Sequence, residues 1–139
     1  MNRQEYLEYI DHFNNKRYDK LAGYFRPDIV VEYFSNLDDP SRPPITLHGP
    51  KEFVDQYTNL HKHVRETLEL RDFLSGDGLM FAELYTTFEC FKDMGGGAIG
   101  PMKAGDVLVM TNWVLYNLDS EGRMARIRIA HFRIHEWKK

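Results

Sequence analysis

Near the start of the chain Tyr6, Tyr9, Ile10 and Phe13 recur at three- and four-residue spacing, which predicts an amphipathic helix over Asn2 to Phe13, ended by Asn14-Asn15. A shorter helix, Tyr18 to Phe25, is predicted next, stopped by Pro27, which cannot continue a helical hydrogen-bond ladder. Ile29 to Phe34 is rich in β-branched and aromatic residues and reads as a strand. The stretch "SNLDDPSRPPITLHG" reads as a loop by its Pro, Asp, Ser and Asn content, and Pro50 opens a third helix that carries Phe53, Val54, Tyr57 and Leu60 at helical spacing. From there the chain reads as strands, 65–74, 79–92, 106–118 and 124–136, joined by "SGDG", "DMGGGAIGPMKAG" and "DSEG". Helices first and a meander afterwards predict an α+β fold. Three helices would cover one face of a curved antiparallel sheet that encloses a cavity, in one domain spanning 1–139.

Alternation within the strands exposes several chemically capable side chains. The last strand keeps a strict period of two through Ile127, Ile129 and His131, then its apolar residues change parity to Phe132 and Ile134. The break near Ala130 predicts either a β-bulge or the end of the helix-covered part of the strand. His131, next in line after two isoleucines, reads either as an acid–base group or as a hydrogen-bonded structural histidine. Asn112, Val114 and Tyr116 share a face; Asn112 and Tyr116 suit orientation of a carbonyl or hydroxyl, although Tyr116 also reads as ordinary core. Strand 79–92 has two readings, because Met80, Ala82, Leu84, Thr86 and Phe88 form one face and Phe81, Glu83, Tyr85 and Thr87 the other. If the second face is inward, Glu83 is a carboxylate base with a pKa raised by apolar walls; if it is outward, Glu83 is solvated or lies in an interface.

Composition removes several function classes. The 139 residues suffice to bury roughly 65–70% of the unfolded surface. Hydrophobic content of 42% and aromatic content of 14% suit an aromatic-lined interior, and a formal charge of −3 spread along the chain leaves no basic stripe for nucleic acid. Cys90 is the single cysteine, so no intrachain disulfide forms, and "MNRQEYLEYIDHF" lacks the pattern of a signal peptide, which leads us to expect a cytoplasmic protein. No apolar run approaches the ~18 residues of a membrane span. His61 and His63, two apart at a helix end, point their rings apart, and His131 and His135 lie roughly 13 Å apart on a strand, so no metal site is expected. The glycine-rich 93–105 run lacks the ending of a phosphate loop and reads as a flap at the cavity mouth, which Arg42 of the Pro-rich loop could help close, unless it is simply solvated.

Four segments together carry a family likeness: "YIDHFNNKRYDKLAGYFRPDIVVEY" (9–33), "HGPKEFVDQY" (48–57), "GPMKAGD" (100–106) and "NLDSEGRM" (117–124). In order and spacing the chain resembles the nuclear transport factor 2-like superfamily, in particular its SnoaL-like branch of polyketide cyclase and ketosteroid isomerase relatives, and it is similar overall to fungal natural-product members of that branch. The resemblance implies a cone-shaped fold around a pocket. It implies that Tyr9 stands at the oxyanion-binding tyrosine of ketosteroid isomerase, that Phe25 and Tyr57 line the pocket, and that Tyr33 stands at the catalytic aspartate. Val114 stands at the second oxyanion-hole carboxyl and cannot donate a hydrogen bond, so that isomerase chemistry is not expected in its usual form. Ile127, Ile129 and His131, with Asn112 and Tyr116, would face the cavity.

The functional expectation is a cofactor-free isomerase, cyclase or dehydratase acting by general acid–base catalysis on a hydrophobic natural-product intermediate such as a polyketide, terpenoid or alkaloid. His131, Glu83, Tyr33, Asn112 and Tyr116 are its candidate catalytic residues. Two alternatives stand beside it: a non-catalytic ligand-binding or interaction module of the same fold, and an epoxide hydrolase, which Ile129 weakens by occupying the position of an aspartate in those relatives. A homodimer through the uncovered sheet face is also expected.

Overall fold

The computed structural model describes residues 1–36, 38–97 and 99–139. Helix α1 (Arg3–Asn14) starts in a capping box, where the Asn2 side chain accepts from the Glu5 N–H at 2.9 Å and the Glu5 carboxylate accepts from the Asn2 N–H at 3.1 Å. It buries Tyr6, Tyr9, Ile10 and Phe13, the periodic set. Helix α2 (Tyr18–Ala22) is shorter than expected, and Phe25, assigned from sequence to its last turn, instead begins strand β1 (Phe25–Phe34). Pro27 therefore lies inside a strand. It sits where the ladder is interrupted, between Phe25↔Met124 and Val30↔Arg126, so its missing N–H costs no pairing.

Strand β2 (Ile45–His48) is a second departure, since the sequence placed these residues in a loop. It is an edge strand of four residues, too short to declare a period, and pairs antiparallel with β1 from Val30↔His48 to Tyr33↔Ile45. Helix α3 (Gly49–Leu60) follows with its proline in the first turn. The meander β3 (Val64–Gly76), β4 (Leu79–Cys90), β5 (Val107–Leu118) and β6 (Met124–Lys138) lies close to the predicted positions.

The six strands form one sheet in the order β2-β1-β6-β5-β4-β3. It is mixed rather than wholly antiparallel, because β6 runs parallel to β1. The chain leaves β1 through β2, crosses by α3 to the far edge, and meanders back; that long connection is what a parallel pair requires. Asp77 (φ 53°) and Gly78 (φ 74°) make the tight β3–β4 turn and set the Gly76↔Leu79 register. A bulge between Leu70 and Phe73 in β3 and three more in β6 bend the sheet.

The helices lie on one face and are tied to it by polar bonds. The Tyr6 and Tyr116 hydroxyls meet at 2.6 Å and join α1 to β5, while those of Tyr33 and Tyr57 meet at 2.5 Å and join α3 to β1. The Asn14 amide exchanges bonds of 2.9 and 2.8 Å with the Leu68 backbone, holding α1 against β3. Beneath the helices Leu21, Ile29, Val31, Met80 and Ile127 are fully enclosed, each large side chain contributing about 1.5–3 kcal/mol of burial. Among the described residues no helix is long and apolar enough to cross a membrane.

Candidate active site

Between α1, α3 and the inner face of the sheet lie two small adjoining voids of about 50 and 40 Å³. The first is bordered by Tyr9, Tyr57, Asn112, Val114, Tyr116, Ile127 and Ile129 among others, which brings seven residues singled out in the sequence to one place. The second shares Tyr57, Glu66, Asn112 and Ile129 with it and adds Tyr33 and His131. Phe25 stands one layer behind, edge-on to Phe53 at 4.8 Å and 6.4 Å from Tyr9, so it supports the wall without lining it.

His131 and Ile99 border both the inner void and an open hollow of about 530 Å³, whose floor includes Leu108, Met110, Ile134 and Trp137. The place of His131 follows from the β6 register. His131 pairs with Asn112 and Arg133 with Thr111, which leaves Phe132 as an extra residue: the bulge falls there and not at Ala130. It restores Ile134 to the inner face opposite Met110, so the change of apolar parity continues the same surface beyond the reach of the helices. Burial pushes the pKa of His131 down, because little solvent remains to hydrate its cation. Ile99 belongs to the glycine-rich segment, which faces the end of α3 across a void of about 280 Å³.

Strand β4 takes the first of its two readings. Met80, Ala82, Leu84, Thr86 and Phe88 are buried inward, and Glu83 faces the other way, accepting a bond from the Trp113 indole N–H at 2.8 Å. Glu83 is therefore not a cavity carboxylate. Arg42 likewise lines none of these voids; it is exposed, forks onto Asp38 at 2.9 Å and donates to the Ser35 carbonyl at 3.0 Å.

The carboxyl in the cavity wall is Glu66 of β3, which borders both voids and whose side chain is 6% exposed. Loss of hydration raises its pKa above the usual carboxylate range, partly opposed by the adjoining His61 ring. His61 Nε2 lies 3.0 Å from Glu66 Oε1, and its Nδ1 lies 2.6 Å from the Tyr18 hydroxyl. The sequence carried a signal for Glu66: Val64, Glu66, Leu68 and Leu70 alternate, so a carboxylate stands on the apolar parity. By spacing alone, His61 stands out in the sequence only beside His63. Its ring does point away from that of His63, which meets the Asp93 carbonyl at 3.0 Å.

Among the described residues no group of three or more His, Cys, Asp and Glu is placed to hold a metal ion. What the cavity presents is a small set of polar groups in an apolar shell. Burial raises the pKa of Tyr9, Tyr33, Tyr57 and Tyr116, so their hydroxyls stay neutral and act as hydrogen-bond groups. The Asn112 amide spends Nδ2 on the Thr86 hydroxyl at 3.1 Å and leaves its buried Oδ1 without a protein partner. Whichever way that amide is turned, one polar atom is left for a ligand.

No protein-family model and no curated protein sequence matches the chain. Solved structures do. An NTF2-like protein of unknown function from Burkholderia pseudomallei superposes with a TM-score of 0.69 at 12% identity, covering 91% of this chain and 86% of that one. SalBIII, an epoxide hydrolase/cyclase-like enzyme of pyran ring formation in the polyether salinomycin, gives 0.65 at 14%, covering 97% and 88%. A proposed polyketide cyclase from Xanthomonas campestris pv. campestris gives 0.63 at 19%, covering 88% and 83%. With the helices on one face of a curved six-stranded sheet and a cavity between them, this chain has the nuclear transport factor 2-like fold.

Proposed function

We propose that the chain is an isomerase or cyclase that moves protons on a neutral, hydrophobic substrate without a cofactor, with Glu66 as the general base and His131 as its acid–base partner. The observation that carries this reading is that the two groups border one void and their surroundings drive their pKa values toward each other, the carboxyl upward and the imidazole downward. Two groups whose proton affinities are drawn toward each other on one cavity suit the withdrawal of a proton at one position and its return at another. Solved enzymes of the same fold, a proposed polyketide cyclase and SalBIII, carry out or are assigned ring-forming chemistry, which supports the reaction class.

The substrate's body would occupy the open hollow and its reacting end would reach past His131 and Ile99 into the inner void; hollow and void together fall in the usual range of ligand sites, about 300–1,000 Å³. The residues bordering the void offer no Lys or Arg, so a carboxylate or phosphate would be desolvated there without a counter-charge. A neutral carbonyl or hydroxyl has partners: Asn112, and whichever proton the Tyr33–Tyr57 hydroxyl pair does not spend on itself. In the step, ionised Glu66 takes a proton from carbon next to the carbonyl. The C–H pair shifts into the conjugated system, the resulting oxyanion is held by the tyrosine pair, and the proton returns to a different carbon; in the ring-forming case the enolate carbon instead attacks a second carbonyl carbon of the same substrate, whose C=O π pair moves to its oxygen and takes the proton.

The test uses a β,γ-unsaturated cyclic ketone and follows formation of its conjugated isomer by absorbance. The wild-type chain is expected to accelerate the shift, and Glu66→Gln to lose about 10²–10⁴ of that acceleration. A folded Glu66→Gln variant at full rate, or a wild-type chain no faster than buffer, would overturn the reading.

A further inference from the structure

Glu66 does not stand alone at the bottom of the cavity. Three elements bring a continuous line of polar groups from it to the surface: Glu66 on β3, His61 at the end of α3, and Tyr18 at the start of α2. The links are 3.0 Å from Glu66 Oε1 to His61 Nε2 and 2.6 Å from His61 Nδ1 to the Tyr18 oxygen. The inner two members are sealed, with side-chain exposures of 2% for His61 and 6% for Glu66, whereas Tyr18 is only half-buried. The imidazole is fixed on all sides, stacked on Tyr18 at 5.8 Å and packed against Phe13 at 5.5 Å and Tyr57 at 5.8 Å. Both of its nitrogens are committed to partners along one line.

We infer that Tyr18, His61 and Glu66 form a proton relay that recharges or discharges the buried carboxyl from the solvent side while the cavity itself is occupied. The inference rests on Glu66 being the group that takes the substrate's proton. Whenever the proton taken from the substrate is not handed back to it, Glu66 must exchange with water before the next turnover, and a substrate seated over Asn112 and His131 blocks the way through the cavity. The relay supplies another way.

The proton count closes. With Glu66 ionised, His61 is neutral with its proton on Nε2, donated to Glu66, and Tyr18 donates to Nδ1. A proton from water reaches the Tyr18 oxygen as the Tyr18 proton passes to Nδ1 and the Nε2 proton passes to Glu66. The final state has a neutral carboxylic acid donating to Nε2, a neutral imidazole protonated on Nδ1 and donating to the Tyr18 oxygen, and a Tyr18 hydroxyl turned to solvent. No charge is left on the ring. The other titratable groups around the line are the Tyr57 hydroxyl from α3 and the Tyr33 hydroxyl from β1, both held neutral by burial, and the His131 imidazole from β6 on the shared void.

The experiment is nuclear magnetic resonance on the full chain with isotope-labelled histidine nitrogens. As pH falls through the titration of Glu66, the His61 proton should move from Nε2 to Nδ1, a tautomer switch that a merely structural histidine would not show. A proton that stays on Nε2 throughout, or a ring that takes up a second proton in step with Glu66, overturns the relay. In Tyr18→Phe, exchange of the His61 ring proton with water should slow by about 10², the usual worth of a positioned proton-transfer group. An unchanged exchange rate overturns the proposal, and if Tyr18→Phe does not fold, the wild-type tautomer measurement still decides. None of these readings uses the ketone rate, so loss of the relay and loss of Glu66 as base are separate results.

Discussion

Glu66 and Glu83 lie on neighbouring antiparallel strands, both within alternating runs, and differ in which face of the sheet they occupy. Glu66 faces the helices. It sits against Tyr57, Asn112 and Ile129, loses nearly all its water, and has its pKa raised. Glu83 faces outward, where it steadies the Trp113 indole beside a ladder in which Trp113 stacks on Phe132 at 3.7 Å and meets Phe81 edge-on at 5.9 Å. The same carboxyl is a desolvated group with raised proton affinity on one face and a hydrogen-bond acceptor for an indole on the other. Desolvation, not residue type, separates their chemistry.

The comparison breaks most directly through kinetics. Glu66→Gln is expected to lose about 10²–10⁴ in ketone isomerisation while Glu83→Gln keeps it, and His131→Phe should lose at least about 10², because it removes the second acid–base group without emptying its volume. Equal losses at Glu66 and Glu83 would erase the distinction between the faces. The outer face is tested by association. Trp113 and Phe132 are 38% and 51% exposed, and a homodimer seated on this ladder should weaken by roughly 30-fold in Trp113→Lys, the loss of one central anchor. Sedimentation at graded concentration reads it, and a wild-type chain that is monomeric throughout removes the dimer.

Smaller effects sharpen the inner face. Tyr33→Phe leaves the buried Tyr57 hydroxyl without its partner and should cost about 1–3 kcal/mol in urea unfolding, with m unchanged. The subtlest effect is the pH slope. The folded pKa of Glu66 lies above its ordinary 4.5, so its stabilising contribution is full below that value and is lost as pH rises through the folded value. His131 is lowered from 6.5 and contributes in the opposite sense, fully above 6.5 and lost as pH falls through its folded value. Glu66→Gln should therefore gain stability relative to wild type on going from acid to neutral pH, measured by unfolding at each pH. A difference that does not change with pH would show that burial leaves the Glu66 carboxyl unshifted.

Much of the site was legible because it lies on strands with a clear period. Asn112, Val114 and Tyr116 announce one face, Ile127, Ile129 and His131 another, and both prove to line the same voids. Tyr9 and Tyr57 follow from helical spacing. What was hidden depends on partners distant in the chain. Glu83 and Glu66 each alternate cleanly, and only the helices on one side decide which is buried. His61 looked like the second half of a poor metal motif, yet its partners, Tyr18 and Glu66, come from two other elements. Strand β2 was unreadable because four residues hold too little pattern, and its pairing with β1 makes it a strand.

By itself the sequence determined the order of the helices and of the longer strands, the turns at Asp77-Gly78 and Asp119–Gly122, and which residues share a face, because these follow from local sterics and periods of a few residues. Only the tertiary structure decided which face is inward, that β6 runs beside β1 in parallel, where the bulge at Phe132 re-aims the last strand, and that Glu66 rather than Glu83 meets the cavity. Each of these depends on which surfaces lose their water when distant segments pack, and desolvation is a property of the assembled layers that no short stretch of chain carries.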